Sequence, residues 1–141
     1  MRKRLSLASA ILSWPLLVLL VAPGLQAPLA AHPPAVPKAI KVWSGLVSWY
    51  GPEFQGQKTA SGQLYDMFAA TAAHTWLPFG SILRLTNVKT GRSQVVRIND
   101  RGPFSPDREL DVSYIAAIRL GLVQSGVARL KIELLKEPQL P

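Results

Sequence analysis

The sequence predicts a small β-rich domain whose strands close into a barrel. Several short segments alternate apolar and polar residues, and glycine and proline separate them. Only one segment favours a helix. About one hundred residues follow the N-terminal region, which is enough for one small core. Closure is expected because a barrel leaves no exposed strand edges.

The N-terminal region has the pattern of an export signal. Three basic residues at positions 2–4 precede the apolar run from Leu5 to Val21, and small residues follow at Ala27, Ala30 and Ala31. We predict a signal peptide over residues 1–31. An uncleaved N-terminal membrane anchor is the alternative, because the apolar run is long for a cleaved signal.

Composition limits the function classes that remain. When the three basic residues at positions 2–4 are left out, 13 of the 16 Lys and Arg residues remain. With 8 Asp and Glu residues, this gives a net charge of +5. In an exported protein this charge suits anionic envelope polymers. Nucleic acid is not an expected partner, because no arginine-rich run or recognition helix is found. The chain contains no cysteine, which excludes disulfides and thiolate metal sites.

The expected domain order is a proline-rich linker over residues 32–44, the barrel over 45–136 and a short tail over 137–141. Five segments of the barrel are predicted as strands, namely residues 45–50, 71–74, 81–86, 93–99 and 127–134. Gly51-Pro52 ends the first strand, and a polar surface loop follows over residues 53–62. Residues 87–92 form a hairpin connection between the third and fourth strands.

A single short helix is predicted over residues 114–120. Alanine and leucine favour it, Ser113 is suited to the N-cap, and Gly121 is suited to the position after its end. The segment from Glu109 to Ser113 leads into this helix.

The stretch from Val96 to Phe104 is the most informative part of the sequence. β-Branched residues alternate around Arg97, and Gly102-Pro103 forces a turn, so Asp100 lies where a strand ends. A carboxylate between Arg97 and Arg101 is either a structural ion pair or a poised catalytic group.

An ordered set of motifs across residues 45–135 resembles the rare lipoprotein A (RlpA) family. The motifs are Ser48-Trp49-Tyr50-Gly51, Thr59-Ala60-Ser61-Gly62, Thr71-Ala72-Ala73-His74, Leu77-Pro78, Thr86-Asn87, Asn99-Asp100-Arg101-Gly102-Pro103-Phe104 and Asp111-Val112-Ser113-Tyr114. The resemblance implies a six-stranded double-psi β-barrel, the fold of expansins, barwin-type proteins and some endoglucanases. It also implies a lytic transglycosylase of the bacterial periplasm or cell envelope that cleaves peptidoglycan glycan strands, preferably those stripped of stem peptides.

The resemblance assigns chemical roles to three residues. Asp100 is the candidate acid and base that protonates the glycosidic oxygen and then helps to form a 1,6-anhydro ring. Its arginine neighbours favour the ionised carboxylate, so burial would have to offset them. His74 is a supporting site residue or a satisfied core histidine. Asp111 is a second catalytic candidate, with helix N-terminal capping as the alternative.

The sequence departs from the family pattern at Gln63, where a glutamate is usual. Glutamine keeps the shape and hydrogen bonds of glutamate but cannot carry a carboxyl proton. Other candidate substrate-binding residues are the aromatic Trp49, Tyr50 and Tyr65 and the polar Thr59, Asn99, Arg97 and Arg101. The aromatic side chains could instead fill the barrel end, and the arginines could instead neutralise nearby aspartates.

Two function classes therefore remain. The first is a peptidoglycan lytic transglycosylase, and the second is a non-catalytic glycan-binding module that loosens the wall, as in expansins. We expect a monomer with no metal and no cofactor, since the acidic residues show no metal-ligand spacing.

Overall fold

The fold is that of residues 35–139, the part of the chain that the computed structural model describes. The predicted signal segment, residues 1–31, lies outside the described residues. Within residues 35–139, no helix combines the length and the apolar character that crossing a membrane requires.

Six strands and one helix build the barrel. In chain order they are β1 (Lys41–Trp49), β2 (Thr71–Ala73), β3 (Ile82–Thr86), β4 (Ser93–Asp100), β5 (Leu110–Val112), α1 (Tyr114–Leu120) and β6 (Val127–Lys136), with a short 3-10 turn at Pro52–Phe54. The strands close in the order β1-β5-β2-β4-β3-β6. Strand β1 runs parallel to β5, and β2 runs parallel to β4, whereas the remaining neighbours are antiparallel. The predicted six-stranded barrel with one short helix is confirmed.

Two elements differ from the sequence prediction. Strand β1 begins at Lys41 rather than at Gly45, because residues 41–44 pair with β6 inside the segment expected to be linker. Strand β5 was not predicted as a strand, since three residues are too few to show an alternating pattern. Its pairing with β1 on one side and β2 on the other makes it a strand.

The helix has the predicted bounds but not the predicted N-cap bond. Ser113 is the N-cap residue, yet its side chain makes no capping hydrogen bond. Its hydroxyl instead accepts the backbone N–H of Thr71 at 3.4 Å. Gly121 ends the helix with φ of 74°, the left-handed conformation that glycine adopts without a steric penalty.

The core fills the barrel from alternating strand positions. Strands β3, β4 and β6 turn every second side chain inward, and one face of α1 covers the barrel wall. The buried residues that these elements supply are Leu83, Leu85, Val96, Ile98, Ala116, Ala117, Leu120, Leu130, Ile132 and Leu134.

A charged cluster joins β3 to β6 on the outside of the barrel. Arg84 and Glu133 are register partners, and the guanidinium donates two hydrogen bonds of 2.9 Å to the carboxylate. Lys131 Nζ lies 3.2 Å from the same carboxylate. The hydrogen bond from Arg84 is the main cause that lowers the pKa of Glu133 to about 2.

Candidate functional site

The two predicted catalytic aspartates lie on either side of one alanine. Ala73 of β2 is the register partner of Asp100 in β4 and of Asp111 in β5. Since neighbouring strands are about 4.8 Å apart, the Cα atoms of the two aspartates are roughly 10 Å apart. Both aspartates line one groove, and Ala73, whose side chain is a single methyl group, lines it with them.

Among residues 35–139, only one side-chain oxygen of Asp100 accepts hydrogen bonds. Its Oδ1 accepts the backbone N–H groups of Ala60 and Arg101, each at 2.8 Å. Its Oδ2 accepts no hydrogen bond from residues 35–139, and no ion pair in this part of the chain involves Asp100. A proton on the neutral carboxyl would therefore sit on Oδ2, which has no partner among these residues.

The expected arginine neighbours of Asp100 are engaged elsewhere. Arg97 Nη1 donates to Gln63 Oε1 at 3.0 Å. Arg101 Nη1 donates to the carbonyl oxygens of His74, at 3.2 Å, and Leu77, at 2.9 Å. Among residues 35–139, neither guanidinium forms an ion pair with Asp100.

A small hairpin delivers the Ala60 amide to Asp100. Backbone bonds from Gly56 to Tyr65 and from Thr59 to Gln63 close the hairpin, and Gly62 takes φ of 86° in its turn. The hairpin tip rests on the end of β4, because Ser61 N donates to the Asn99 carbonyl at 3.3 Å. The predicted surface loop is therefore a positioned element of the site.

Asp111 is held by a serine and an arginine. Ser48 Oγ donates to Asp111 Oδ1 at 2.5 Å, and Arg108 Nη2 lies 3.5 Å from Oδ2. Arg108 also donates to Ser48 Oγ at 2.8 Å. These bonds fix the carboxylate toward the groove, and the hydrogen bonds of its side chain do not go to the N-terminus of α1.

Gln63 sits beside the groove with a single amide oxygen between two donors. Gln63 Oε1 accepts Arg97 Nη1 at 3.0 Å and Asn99 Nδ2 at 3.3 Å. A carboxylate at this position would accept the same two bonds, so glutamine preserves the local geometry while it removes the titratable proton.

The groove has a volume of about 560 Å³. It is lined by Tyr50, Phe54, Gln57, Lys58, Thr59, Tyr65, Ala73, Asp100, Arg101, Gly102, Pro103, Phe104, Ser105, Arg108 and Asp111. This volume is within the usual range of ligand sites, which is roughly 300–1,000 Å³. The lining combines two carboxyl groups, two guanidinium groups and several aromatic rings, a composition suited to a polar ring-shaped substrate.

Comparison with known proteins places this architecture in a family. The sequence profile of the lytic transglycolase family matches residues 42–132. The chain belongs to this family. The resemblance to RlpA proposed from the motifs is thereby confirmed.

Curated relatives of this lytic transglycolase domain carry the name endolytic peptidoglycan transglycosylase RlpA. The protein of Pseudomonas aeruginosa is 52% identical over 89 residues, which are 63% of this chain and 26% of the relative. The protein of Neisseria meningitidis is 54% identical over 90 residues, which are 64% of this chain and 38% of the relative. The chain thus matches well under half the length of these relatives.

Solved structures agree with the family assignment at the level of fold. The Streptomyces papain inhibitor superposes with a TM-score of 0.58 at 18% identity and covers 70% of this chain and 97% of its own. An expansin from Clavibacter michiganensis superposes with a TM-score of 0.56 at 20% identity and covers 72% of this chain and 54% of its own. The lytic transglycolase domain is therefore a double-psi β-barrel.

The predicted site residues of this family member divide into two groups. Asp100, Asp111, Tyr50, Tyr65, Thr59 and Arg101 line the groove. His74, Gln63, Trp49, Asn99 and Arg97 do not line it. Gln63, Asn99 and Arg97 form one hydrogen-bonded group beside it, and Trp49 packs its ring against Tyr114 of α1 at 5.6 Å.

His74 lies behind the groove with its side chain buried. Nδ1 accepts the backbone N–H groups of Trp76 at 3.2 Å and Leu77 at 3.1 Å, which places the ring proton on Nε2. Nε2 lies 3.4 Å from Glu109 Oε1. Burial lowers the pKa of His74, and the hydrogen bond to Glu109 partly opposes that effect. The neutral ring thus organises the turn that also receives Arg101.

The two groove tyrosines, Tyr50 and Tyr65, pack against each other with their ring planes tilted by 48°. Their ring centroids are 4.5 Å apart, and Tyr65 donates its hydroxyl hydrogen bond to the Tyr50 carbonyl at 3.2 Å. Burial raises the pKa of both phenols, so both are neutral at physiological pH. Tyr50 and Tyr65 therefore present neutral aromatic surface rather than acid-base groups.

Sequence reasoning missed two partners that matter for the site. Ser48 was recognised only as part of a motif, yet it bonds Asp111, and Glu109 was not considered, yet it bonds His74. Alternation along β1 puts Ser48 on one face of the sheet, and its register partner Asp111 in β5 lies on the same face. Glu109 carried no such signal, since it is 35 positions from His74.

Proposed function

We propose that this domain is a peptidoglycan lytic transglycosylase with Asp100 as its acid and base. The observation that carries the proposal is the unused Oδ2 of Asp100 in the same groove as Asp111, among the residues that the structure describes. The names of the relatives support the same reaction class.

The reaction needs a single carboxyl group that gives and then takes a proton. Protonated Asp100 donates its proton to the glycosidic oxygen as the bond from C1 of the muramyl residue breaks, and the departing sugar leaves with a free hydroxyl. The muramyl 6-hydroxyl then attacks C1 and returns its proton to Asp100. The product ends in a 1,6-anhydro ring, and no water is consumed.

Asp111 and the groove arginines supply the electrostatic setting. The Asp111 carboxylate, held by Ser48 and Arg108, is positioned to stabilise the positive charge that develops on the sugar ring. Arg101 and Arg108 line the groove and can pair with the lactyl carboxylates that stem-peptide removal exposes. This pairing supports a preference for peptide-free strands. The export signal predicted over residues 1–31 favours the bacterial cell envelope as the place of action.

The second candidate function is glycan binding without cleavage. Gln63 favours it, because the position that usually holds a glutamate carries an amide between Arg97 and Asn99. In that case the groove would hold the same strands and loosen their packing in the wall.

Mass spectrometry of the glycan products separates the two candidates. The protein is incubated with intact and with peptide-stripped peptidoglycan, beside Asp100→Asn and the control Asp107→Asn, an exposed acid of the same loop outside the groove. Anhydro-muramyl ends that vanish only in Asp100→Asn establish the transglycosylase. Absence of such ends, with retained co-sedimentation of protein and glycan, would establish the binding module.

A further inference from the structure

A second cluster of aromatic and charged side chains lies outside the groove. Lys41 places its ammonium 5.5 Å from the ring centroids of both Trp43 and Trp76. Trp76 is 60% exposed. We call Lys41, Trp43 and Trp76 the tryptophan patch. The reaction proposed for the groove uses none of the three residues.

The patch is anchored from below by two titratable side chains. Trp43 Nε1 donates to Glu109 Oε1 at 2.9 Å, and the Trp76 ring meets the buried His74 ring edge-on, with centroids 5.0 Å apart. The backbone N–H of Trp76 also bonds His74 Nδ1. An exposed indole held in this way loses little conformational entropy when a ligand packs on it.

The ammonium of the patch carries no counter-ion from the described residues. None of the ion pairs between residues 35 and 139 includes Lys41. The nearby Glu109 instead directs Oε1 to the indole of Trp43 and to His74. A cation flanked by two indoles, with no carboxylate of residues 35–139 paired to it, is complementary to an anionic group attached to an apolar ring face.

The patch is joined to the lining of the groove through His74 and Glu109. Arg101, which lines the groove, donates to the His74 carbonyl, and His74 contacts Trp76. Arg108, which also lines the groove, directly precedes Glu109, the partner of Trp43. The patch therefore borders the side of the groove that Arg101 and Arg108 line.

We propose that the tryptophan patch is a second saccharide subsite, which binds a muramyl residue of the glycan strand held in the groove. The apolar face of the sugar packs on Trp76, and its lactyl carboxylate pairs with Lys41. This inference rests on the proposed function, because the strand in the patch is the continuation of the strand in the groove.

Oligosaccharide binding at two lengths tests the proposal. Peptide-free oligomers of one and of four glucosaminyl-muramyl disaccharides are titrated by calorimetry into Asp100→Asn protein, which leaves the strands uncut. Adding Trp76→Ala is expected to weaken binding of the long oligomer about three- to tenfold, the range of a single aromatic contact. Binding of the single disaccharide is expected to stay unchanged, which also shows that the variant is folded.

Lys41→Met tests the proposed ion pair between the Lys41 ammonium and the lactyl carboxylate. The substitution is expected to weaken binding of the long muramyl oligomer about threefold. It should leave binding of a chitin oligomer of equal length unchanged, because chitin has no lactyl carboxylate. Matched controls are Phe68→Ala, which removes a ring that is 66% exposed elsewhere, and Lys89→Met in the β3–β4 turn.

The outcomes separate this inference from the function on which it rests. If the parent protein binds the long oligomer and wild type cleaves it, but Trp76→Ala binds as tightly as its parent, the second subsite is wrong and the transglycosylase stands. If the parent binds no muramyl oligomer and wild type cleaves none, the proposed function fails and the subsite fails with it.

Discussion

At the scale of single residues, Gln63 places an amide where a carboxylate would accept the same hydrogen bonds. Its oxygen already accepts two hydrogen bonds, from Arg97 and Asn99. We expect Gln63→Glu to raise the rate of anhydro-muramyl product formation up to about tenfold, because a carboxylate beside the groove would help to stabilise the positive charge that develops on the sugar ring. Initial rates on peptide-stripped peptidoglycan measure this effect.

Gln94→Glu is the matched control for that change. Gln94 lies on the outside of β4, and its amide oxygen likewise accepts an arginine, Arg119 Nη1 at 3.2 Å. The control should leave the rate unchanged. Equal rates for Gln63→Glu and wild type would show that the missing carboxylate does not limit this groove.

His74 gives stability a defined pH dependence. Burial lowers its pKa below the ordinary 6.5, so the unfolded chain takes up a proton before the folded chain does. The contribution of the neutral His74 to the free energy of unfolding is expected to be fully present above pH 6.5 and to fall as the pH drops below 6.5. Urea unfolding between pH 5 and 7.5 measures the slope, and His74→Asn, which keeps an acceptor, should flatten it. An unchanged slope in His74→Asn would assign the effect to another group.

The sequence predicted that Asp100 lies at a strand end, but it did not predict the hydrogen-bond partners of Arg97 and Arg101 beside it. Alternation before Gly102-Pro103 was enough to place the aspartate at a strand end. The arginines beside it turn to Gln63 and to two carbonyl oxygens, and those partners are brought near only by the folded barrel. Side-chain direction at a strand end therefore could not be obtained from spacing.

At the scale of elements, β5 depends on a glycine in the neighbouring strand. A Cβ atom at Gly45 would lie 2.5 Å from Glu109 Cβ and 2.8 Å from Glu109 Cγ. The Glu109 amide donates to the Leu46 carbonyl at 2.7 Å, so the backbone at this point has little room to move. Glycine is required at this position by the close approach of two strands.

Gly45→Ala is expected to destabilise the fold by about 1–3 kcal/mol, the usual cost of overpacking. Chemical unfolding measures the loss, with Ser44→Ala in the same strand as the control. Adding Glu109→Gly to Gly45→Ala should recover part of the stability, since it removes the opposing side chain. A Gly45→Ala variant as stable as wild type would show that Glu109 moves aside freely.

Length explains which elements could be predicted. The strands of five or more residues, β1, β3, β4 and β6, and the helix each carry a periodic pattern, and all were anticipated with small shifts in their ends. Strand β2, of three residues, was predicted within residues 71–74, whereas β5, of equal length, was not predicted. Short strands are determined by their neighbours in the sheet, and those neighbours are distant in the sequence.

At the scale of the whole molecule, β6 closes the barrel by pairing with both β1 and β3. The Arg84, Glu133 and Lys131 cluster lies across one of these seams. The pKa of Glu133 is lowered to about 2 from 4.5, so its contribution is complete above about pH 5 and is lost as the pH falls toward 2.

Glu133→Gln is expected to reduce stability at pH 7 and to remove part of the acid-induced loss between pH 5 and 2. Thermal unfolding across this range measures both effects. Glu137→Gln, an acid just after β6 without an ion pair among the described residues, is the control. If both variants lose stability with acid in the same way as wild type, the β3–β6 seam does not depend on this cluster.

Asp100 and Asp111 have the same register partner, Ala73, and this pairing determines which parts of the barrel can vary without moving the two aspartates apart. The separation of the two aspartate Cα atoms is set by the pitch of hydrogen-bonded strands, whereas loop residues such as Ala60 and Arg108 hold the carboxyl groups. The hairpin at residues 56–65 and the turn at 102–108 can therefore change in length or composition without altering that spacing. Exchange of these loops between relatives is therefore expected to change which ligands the groove accepts while the separation of the two aspartate Cα atoms stays constant.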